Sequence, residues 1–210
     1  MKIIPLFSAQ AVNASHDYLP AIQRVLNSYW YIVGNEVAEF EREFAQYCGV
    51  SNCVSVANGT DALELALRAL EIQVGDSIML VANAGFYGST AVHAVGAKPL
   101  YIDIDPRTLN MSAEHLRQAL KTQLPKAIIV THLYGQLADV EAIVELANAA
   151  GVPVVEDCAQ AHGAKRNDRR AGSFGEIACF SFYPTKNLGA MGDGGAVITN
   201  NVKWTPKIRQ

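Results

Sequence analysis

Between Cys53 and Glu156, short apolar runs alternate with stretches of helical periodicity, and this rhythm limits the possible folds more than any other feature. Runs such as Ala127-Ile128-Ile129-Val130 carry no polar alternation, so neither face of such a strand suits water. The spacing predicts strands at Cys53 to Ala57, Ser77 to Val81, Pro99 to Ile104, Ala127 to Thr131 and Val152 to Glu156. It predicts helices over 15–28 and 36–48, and from Asp61 to Leu70, Ser89 to Val95, Ala113 to Leu120 and Val140 to Ala150. Asn58-Gly59-Thr60 reads as a turn. After Gly172 the rhythm changes, and Glu176 to Phe182 and Gly195 to Thr199 read as two further strands around a glycine-rich loop. Val202 to Gln210 reads as the opening of a helix. The expected fold is α/β, a mostly parallel sheet flanked by helices, with ligands at the carboxyl ends of its strands.

Charge and composition exclude several partners. The formal net charge is -3 and there is no run of Lys and Arg, so neither nucleic acid nor an anionic membrane is favoured. No apolar stretch approaches the roughly 20 residues of a membrane-spanning helix. Met1 to Pro5 is too short an apolar run for a signal peptide. The four cysteines, Cys48, Cys53, Cys158 and Cys179, form no C-x-x-C pair and read as buried, reduced thiols rather than disulfides or a metal site. A cytoplasmic location is the default that follows.

Three segments carry chemistry, each at the end of a predicted strand. Gly59 and Thr60, in Asn58-Gly59-Thr60-Asp61, stand where a helix N-terminus offers amides and a positive dipole end to a phosphate. The same residues also suit a plain turn capped by Thr60 or Asp61. Asp157 follows a strongly apolar strand, so its carboxylate needs a cationic or hydrogen-bonding partner. A protonated pyridine is one such partner, and a structural cap is the other reading. Gln160 and His162 follow closely and can face the same cavity. Lys186 lies in a loop with proline and several glycines, where an enclosed lysine can act as an amine nucleophile and an exposed one is merely solvated. Gly192-Asp193-Gly194-Gly195 lacks the spacing of a dinucleotide loop. A phosphate site, an acid for a pyridinium and an amine are together what pyridoxal phosphate needs from a protein.

These segments resemble the DegT-type sugar aminotransferases, a branch of the fold-type I pyridoxal-phosphate enzymes. The likeness runs through Gly34-Asn35-Glu36-Val37, Ala57-Asn58-Gly59-Thr60-Asp61-Ala62-Leu63, Gly96-Ala97-Lys98-Pro99 and His132-Leu133-Tyr134-Gly135. Its most specific blocks are Glu156-Asp157-Cys158-Ala159-Gln160-Ala161-His162-Gly163 and Phe180-Ser181-Phe182-Tyr183-Pro184-Thr185-Lys186. The resemblance implies that Lys186 is the Schiff-base lysine and shuttles the proton, and that Asp157 pairs with the pyridinium nitrogen. It implies that Gln160 bonds the ring's phenolic oxygen, and that the Gly59 and Thr60 amides with the Ser181 hydroxyl hold the phosphate. The family's ring-stacking aromatic aligns with Gly85, so Tyr87 or Phe86 is the expected replacement.

The implied reaction takes an amino group from glutamate and places it on a keto carbon of a nucleotide-diphosphate deoxysugar, for lipopolysaccharide, other surface polysaccharide or deoxyaminosugar synthesis. Related dehydratases carry His in place of the lysine, so Lys186 favours transamination. The resemblance also implies a homodimer, a large cofactor-binding domain over 1–200 with an N-terminal arm over 1–35, and a following helix begun at 201–210. A smaller C-terminal domain is expected in the family and is missing here, so the chain reads as truncated. A non-catalytic binding or regulatory product of the same family, and an unrelated nucleotide-binding dehydrogenase, are the alternatives.

Overall fold

The computed structural model describes residues 4–5 and 7–210; the rest of the expected N-terminal arm, 1–3 and Leu6, lies outside the described residues. Seven strands form one sheet: β1 (Asn52–Val56), β2 (Ser77–Leu80), β3 (Lys98–Tyr101), β4 (Ala127–Thr131), β5 (Val154–Asp157), β8 (Ile177–Ser181) and β9 (Gly195–Thr199). A separate hairpin joins β6 (Lys165–Arg166) to β7 (Arg169–Arg170). The order across the sheet is β1-β9-β8-β5-β4-β2-β3. β9 runs antiparallel to both neighbours and all other pairs are parallel.

β4 shows why its sequence does not alternate. Ala127 and Ile129 enter a core shared with α4 (Gly59–Ala69) and α5 (Tyr87–Ala94). Ile128 and Val130 enter a second core with residues of α6 (Ala113–Leu120) and α7 (Val140–Ala149) on the opposite face. Each fully buried Ile contributes about 1.5–3 kcal/mol, so a polar residue anywhere along β4 costs stability. A third core gathers Phe44 and Cys48 of α3 (Asn35–Cys48) with Phe180 and Phe182. α8 (Trp204–Arg209) returns to the sheet, where Glu176 accepts from the Trp204 indole at 2.6 Å. Pro206 falls in the first turn of α8, where a missing N–H costs nothing.

Several boundaries differ from expectation. The helix expected over 15–28 is α2 (Leu19–Ser28), preceded by a short α1 (Ala9–Asn13). Pro20 sets the start of α2, because proline is tolerated only in a first turn. Asn58-Gly59-Thr60 is not a free-standing turn: α4 begins at Gly59 and its cap is Asn58, not Thr60 or Asp61. β3 ends at Tyr101, and Ile104 makes only an isolated bridge to Met111. Among the described residues no helix is long and apolar enough to cross a membrane.

Candidate active site

Parallel pairing sets strand ends level with one another. Thr131 lies opposite Asp157 and Asp157 opposite Cys179, while Ser181 and Val56 both lie opposite Gly195. The carboxyl ends of β1, β4, β5 and β8 and the amino end of the reversed β9 therefore share one rim. A cavity of about 530 Å³ opens there. It is lined by Gly59, Thr60, Tyr87, Asp157, Gln160, Ser181 and Lys186, with Asn58, Asp61, Thr131, Tyr183, Thr185 and Asp193 beside them.

One end of the cavity is built by α4 meeting β8. The Asn58 Oδ1 accepts from the N–H groups of Thr60 and Asp61, each at 2.9 Å, which starts the helix. The Thr60 amide is thus engaged by the cap. The Gly59 amide is not used by the cap. A Cβ at Gly59 would lie 2.6 Å from the Ser181 Cβ, so only glycine brings the helix N-terminus and the Ser181 hydroxyl together. A Cβ at Gly195 would lie 2.4 Å from the Asn58 carbonyl, which closes the same corner from β9.

The opposite end is acidic and buried. Asp157 is 6% exposed. Its Oδ1 accepts from the Ala159 N–H at 3.1 Å and its Oδ2 from the Thr131 hydroxyl at 3.2 Å. Burial pushes the Asp157 carboxyl above the usual aspartate range, opposed by those two donors and by the charge of Lys186. A cation placed against it would be strongly favoured, and a protonated pyridine is of that kind.

Lys186 sits in the loop between β8 and β9. Its N–H donates to the Tyr183 carbonyl at 2.8 Å, and Ala190 and Gly194 fold back onto Phe182 at 2.7 Å each. The loop is therefore closed at its base and holds Lys186 over the cavity that contains Asp157. Gln160 lines the wall with its Oε1 occupied by the Tyr134 N–H at 2.9 Å, which leaves its NH2 as the free end.

Two expectations do not hold. Phe86 is 68% exposed and does not line the cavity; it precedes α5, whose first residue, Tyr87, does. His162 does not face the cavity either. Its ring lies between Phe180 and Phe182, with centroids 5.3 and 5.6 Å away, and burial lowers its pKa. Sequence reasoning missed Thr131, Tyr183, Thr185 and Asp193 as lining residues, although Thr131 ends a predicted strand and was findable on that ground.

The sequence pattern of the DegT/DnrJ/EryC1/StrS aminotransferase family matches residues 13–210. The chain belongs to that family. Among curated relatives, this DegT-family chain is 44% identical over 194 residues to a dTDP-3-amino-3,4,6-trideoxy-alpha-D-glucose transaminase of Micromonospora megalomicea subsp. nigra, covering 92% of this chain and 52% of that protein. It superposes on the structure of DesV from S. venezuelae in complex with a ketimine intermediate at a TM-score of 0.93 and 39% identity, covering 98% of this chain and 56% of the other. It superposes on NtdA of Bacillus subtilis with bound PMP at a TM-score of 0.90 and 30% identity, covering 99% and 48%. This chain therefore spans about half the length of the relatives it matches. The fold is that of these solved structures.

Proposed function

We propose that this chain binds pyridoxal 5'-phosphate and serves transamination of a nucleotide-linked keto-deoxysugar, with glutamate as amino donor. The observation that carries the proposal is the convergence of Lys186, Asp157 and the Gly59–Ser181 corner on one cavity from distant parts of the chain. The residues fit the group: a cradle that admits no Cβ suits a phosphate, and a desolvated carboxylate suits a protonated ring nitrogen. The cofactor, when bound, supplies an electron-withdrawing ring that eases proton removal from the amine-bearing carbon.

The chain's own residues do the rest. Lys186 holds the cofactor through its amine and then carries the proton between carbons. Asp157 keeps the ring nitrogen protonated. The Gln160 NH2 donates to the phenolic oxygen. The Gly59 and Thr60 amides and the Ser181 hydroxyl hold the phosphate. Tyr87 stacks on the ring in place of the residue missing at Gly85.

Residues 1–200 act as the cofactor-binding large domain and 201–210 open the next helix. α2 buries none of its residues, and Leu19, Ile22 and Leu26, with Tyr29 to Val33 after it, are exposed. A second copy of the chain is the partner we propose for that apolar surface, giving a homodimer. The product class suits lipopolysaccharide or other surface-polysaccharide synthesis, or deoxyaminosugar synthesis, in the cytoplasm.

The test is spectroscopic and then chemical. Protein mixed with pyridoxal phosphate should develop a visible Schiff-base band that is lost in Lys186→Ala. Release of 2-oxoglutarate from glutamate should follow with a keto-sugar nucleotide present. A wild-type protein that shows no band overturns the cofactor reading. A band without 2-oxoglutarate favours a cofactor-binding product that does not turn over.

A further inference from the structure

A buried polar cluster lies directly behind the cavity and belongs to none of the roles above. Glu156 precedes Asp157 on β5 and faces the other side of the sheet, with both Glu156 and His132 0% exposed. The Glu156 carboxylate accepts four hydrogen bonds: from His132 Nε2 and the Gly172 N–H at 2.9 Å, the Phe174 N–H at 2.7 Å and the Gly175 N–H at 2.6 Å. The His132 Nδ1 accepts from the Ala138 N–H at 3.1 Å. Nδ1 is thus the acceptor and Nε2 carries the proton, so the ring is a fixed neutral tautomer. Cys158 lies within 4.8 Å of both side chains, but every nitrogen and oxygen of the pair is already engaged, which leaves no lone pair directed at a metal ion.

The cluster also holds the loop after β4. The His132 backbone N–H donates to the Asp157 carbonyl at 3.0 Å. One turn on, Asn110, 1% exposed, accepts from the Leu133 N–H at 2.9 Å and donates to the Gln136 carbonyl at 3.2 Å. Four anchors therefore fix residues 132–138, and between them Tyr134 is held at φ 56°, a conformation costly for a side chain of its size. Its N–H reaches out of the loop to the Gln160 Oε1 at 2.9 Å. An amide has one acceptor end and one donor end, so whatever fixes the acceptor end decides what the cavity meets.

We infer that His132 is a positioning residue: by capping the Ala138 N–H and bracing the 132–138 loop against β5, it aims the Tyr134 N–H at Gln160 and so turns the Gln160 NH2 toward the cavity. The inference rests on the proposed binding of pyridoxal phosphate, whose phenolic oxygen is an acceptor that this NH2 would meet. A loosened loop would let the Gln160 amide rotate and present its carbonyl, an acceptor facing an acceptor.

His132→Gln tests this, because an amide can still donate to Glu156 yet loses the Nδ1 acceptor of Ala138. In ligand-free protein the Tyr134 amide should exchange with solvent at least about tenfold faster than in wild type. With pyridoxal phosphate bound, the pH midpoint of the visible band should move in the same direction as in Gln160→Ala, by about one pH unit, the equivalent of one lost hydrogen bond. Adding His132→Gln to Gln160→Ala should move it no further. A purely structural role for His132 would lower the melting temperature and leave the band's midpoint alone, which would overturn the inference, as would additive shifts in the double variant. Where His132→Gln does not fold, Asn110→Ser loosens the same loop from its other anchor and is read by the same two measurements. A wild-type protein with no band fails the cofactor reading instead, and the exchange rate at Tyr134 still decides whether His132 braces the loop.

Discussion

Gly59→Ala puts the Gly59–Ser181 corner under a defined stress. A Cβ at 59 would stand 2.6 Å from the Ser181 Cβ, 3.2 Å from its Cα and 3.3 Å from its Oγ. Carbon atoms in ordinary contact are about 3.5–4.0 Å apart, so roughly 1 Å of room is lacking. Ser181 cannot retreat, because β8 is paired on both sides, to β5 and to β9. The first turn of α4 must move instead. Overpacking of this kind costs about 1–3 kcal/mol, and alanine's better helix propensity offsets at most about 1 kcal/mol of it. The net loss is about 1–2 kcal/mol, a fall in melting temperature of roughly 2–8 °C for a chain of this length. The effect on binding should be larger in proportion, since a shift of about 1 Å in a preorganised site can cost about a hundredfold. Urea unfolding of ligand-free protein gives the first quantity, and titration with pyridoxal phosphate followed at the visible band gives the second. A variant that melts at or above wild type and binds the cofactor equally well would show that the Gly59–Ser181 approach is not what shapes the site.

Other perturbations separate the buried carboxylates. Asp157 is raised by burial, so its contribution to stability is fullest below the ordinary aspartate value and is lost as pH rises through the raised folded value. Asp157→Asn should therefore raise the melting temperature of ligand-free protein at pH 8 while weakening pyridoxal phosphate binding at least about tenfold; a lower melting temperature at that pH would contradict this. Glu156 has the opposite sign: burial raises it, but His132 and the amides of Gly175 and Gly172 prevail and hold it below the glutamate range. Its stabilisation is present above the ordinary value and is lost as pH falls through the depressed one. Glu156→Gln sets an NH2 against two of the present donors and should cost about 3–5 kcal/mol in urea unfolding at neutral pH; a loss under 1 kcal/mol would refute the four-donor arrangement. Burial pushes Cys48 and Cys53 up to about 12, and Cys158 and Cys179 are raised as well. An aromatic disulfide reagent at pH 8 should label none of the four in native protein and all four in denaturant.

The sheet was legible because its strands are buried on both faces, and a polar-free run such as Ala127-Ile128-Ile129-Val130 has few other destinations. Asp157 was legible in a similar way, since it closes the strand Val154-Val155-Glu156-Asp157, whereas Ser181 was named only through the family resemblance and Thr131 was missed although it too ends a strand. The hairpin of β6 and β7 was not, because Lys165-Arg166 and Arg169-Arg170 have no apolar face to reveal them. Its sign was the pair Asn167-Asp168, both at positive φ, a turn-forming dipeptide. Asn58 was overlooked as a cap although Asp61 three residues on made the pairing readable, and Asn58 Nδ2 donates to that carboxylate at 2.9 Å. The choice between Phe86 and Tyr87 turned on where α5 begins, and a boundary of one residue decides which ring meets the cavity. The place of His162 depended on Phe180 and Phe182 closing around it, contacts that no local pattern records.

The reversed direction of β9 has a consequence for how the molecule comes into being. Asn52 pairs with Thr199 and Val56 with Gly195, so among the described residues β1 finds its one sheet neighbour well over a hundred positions later. A ribosome releases β1 long before β9, and closing so long a loop is slow. Until β9 slots between β1 and β8, the hairpin that carries Lys186 has only one fixed leg. Lys186 thus gains a fixed address only once β9 has docked, and a nascent chain halted before Gly195 would hold the Asp157 carboxylate but no tethered Lys186 amine.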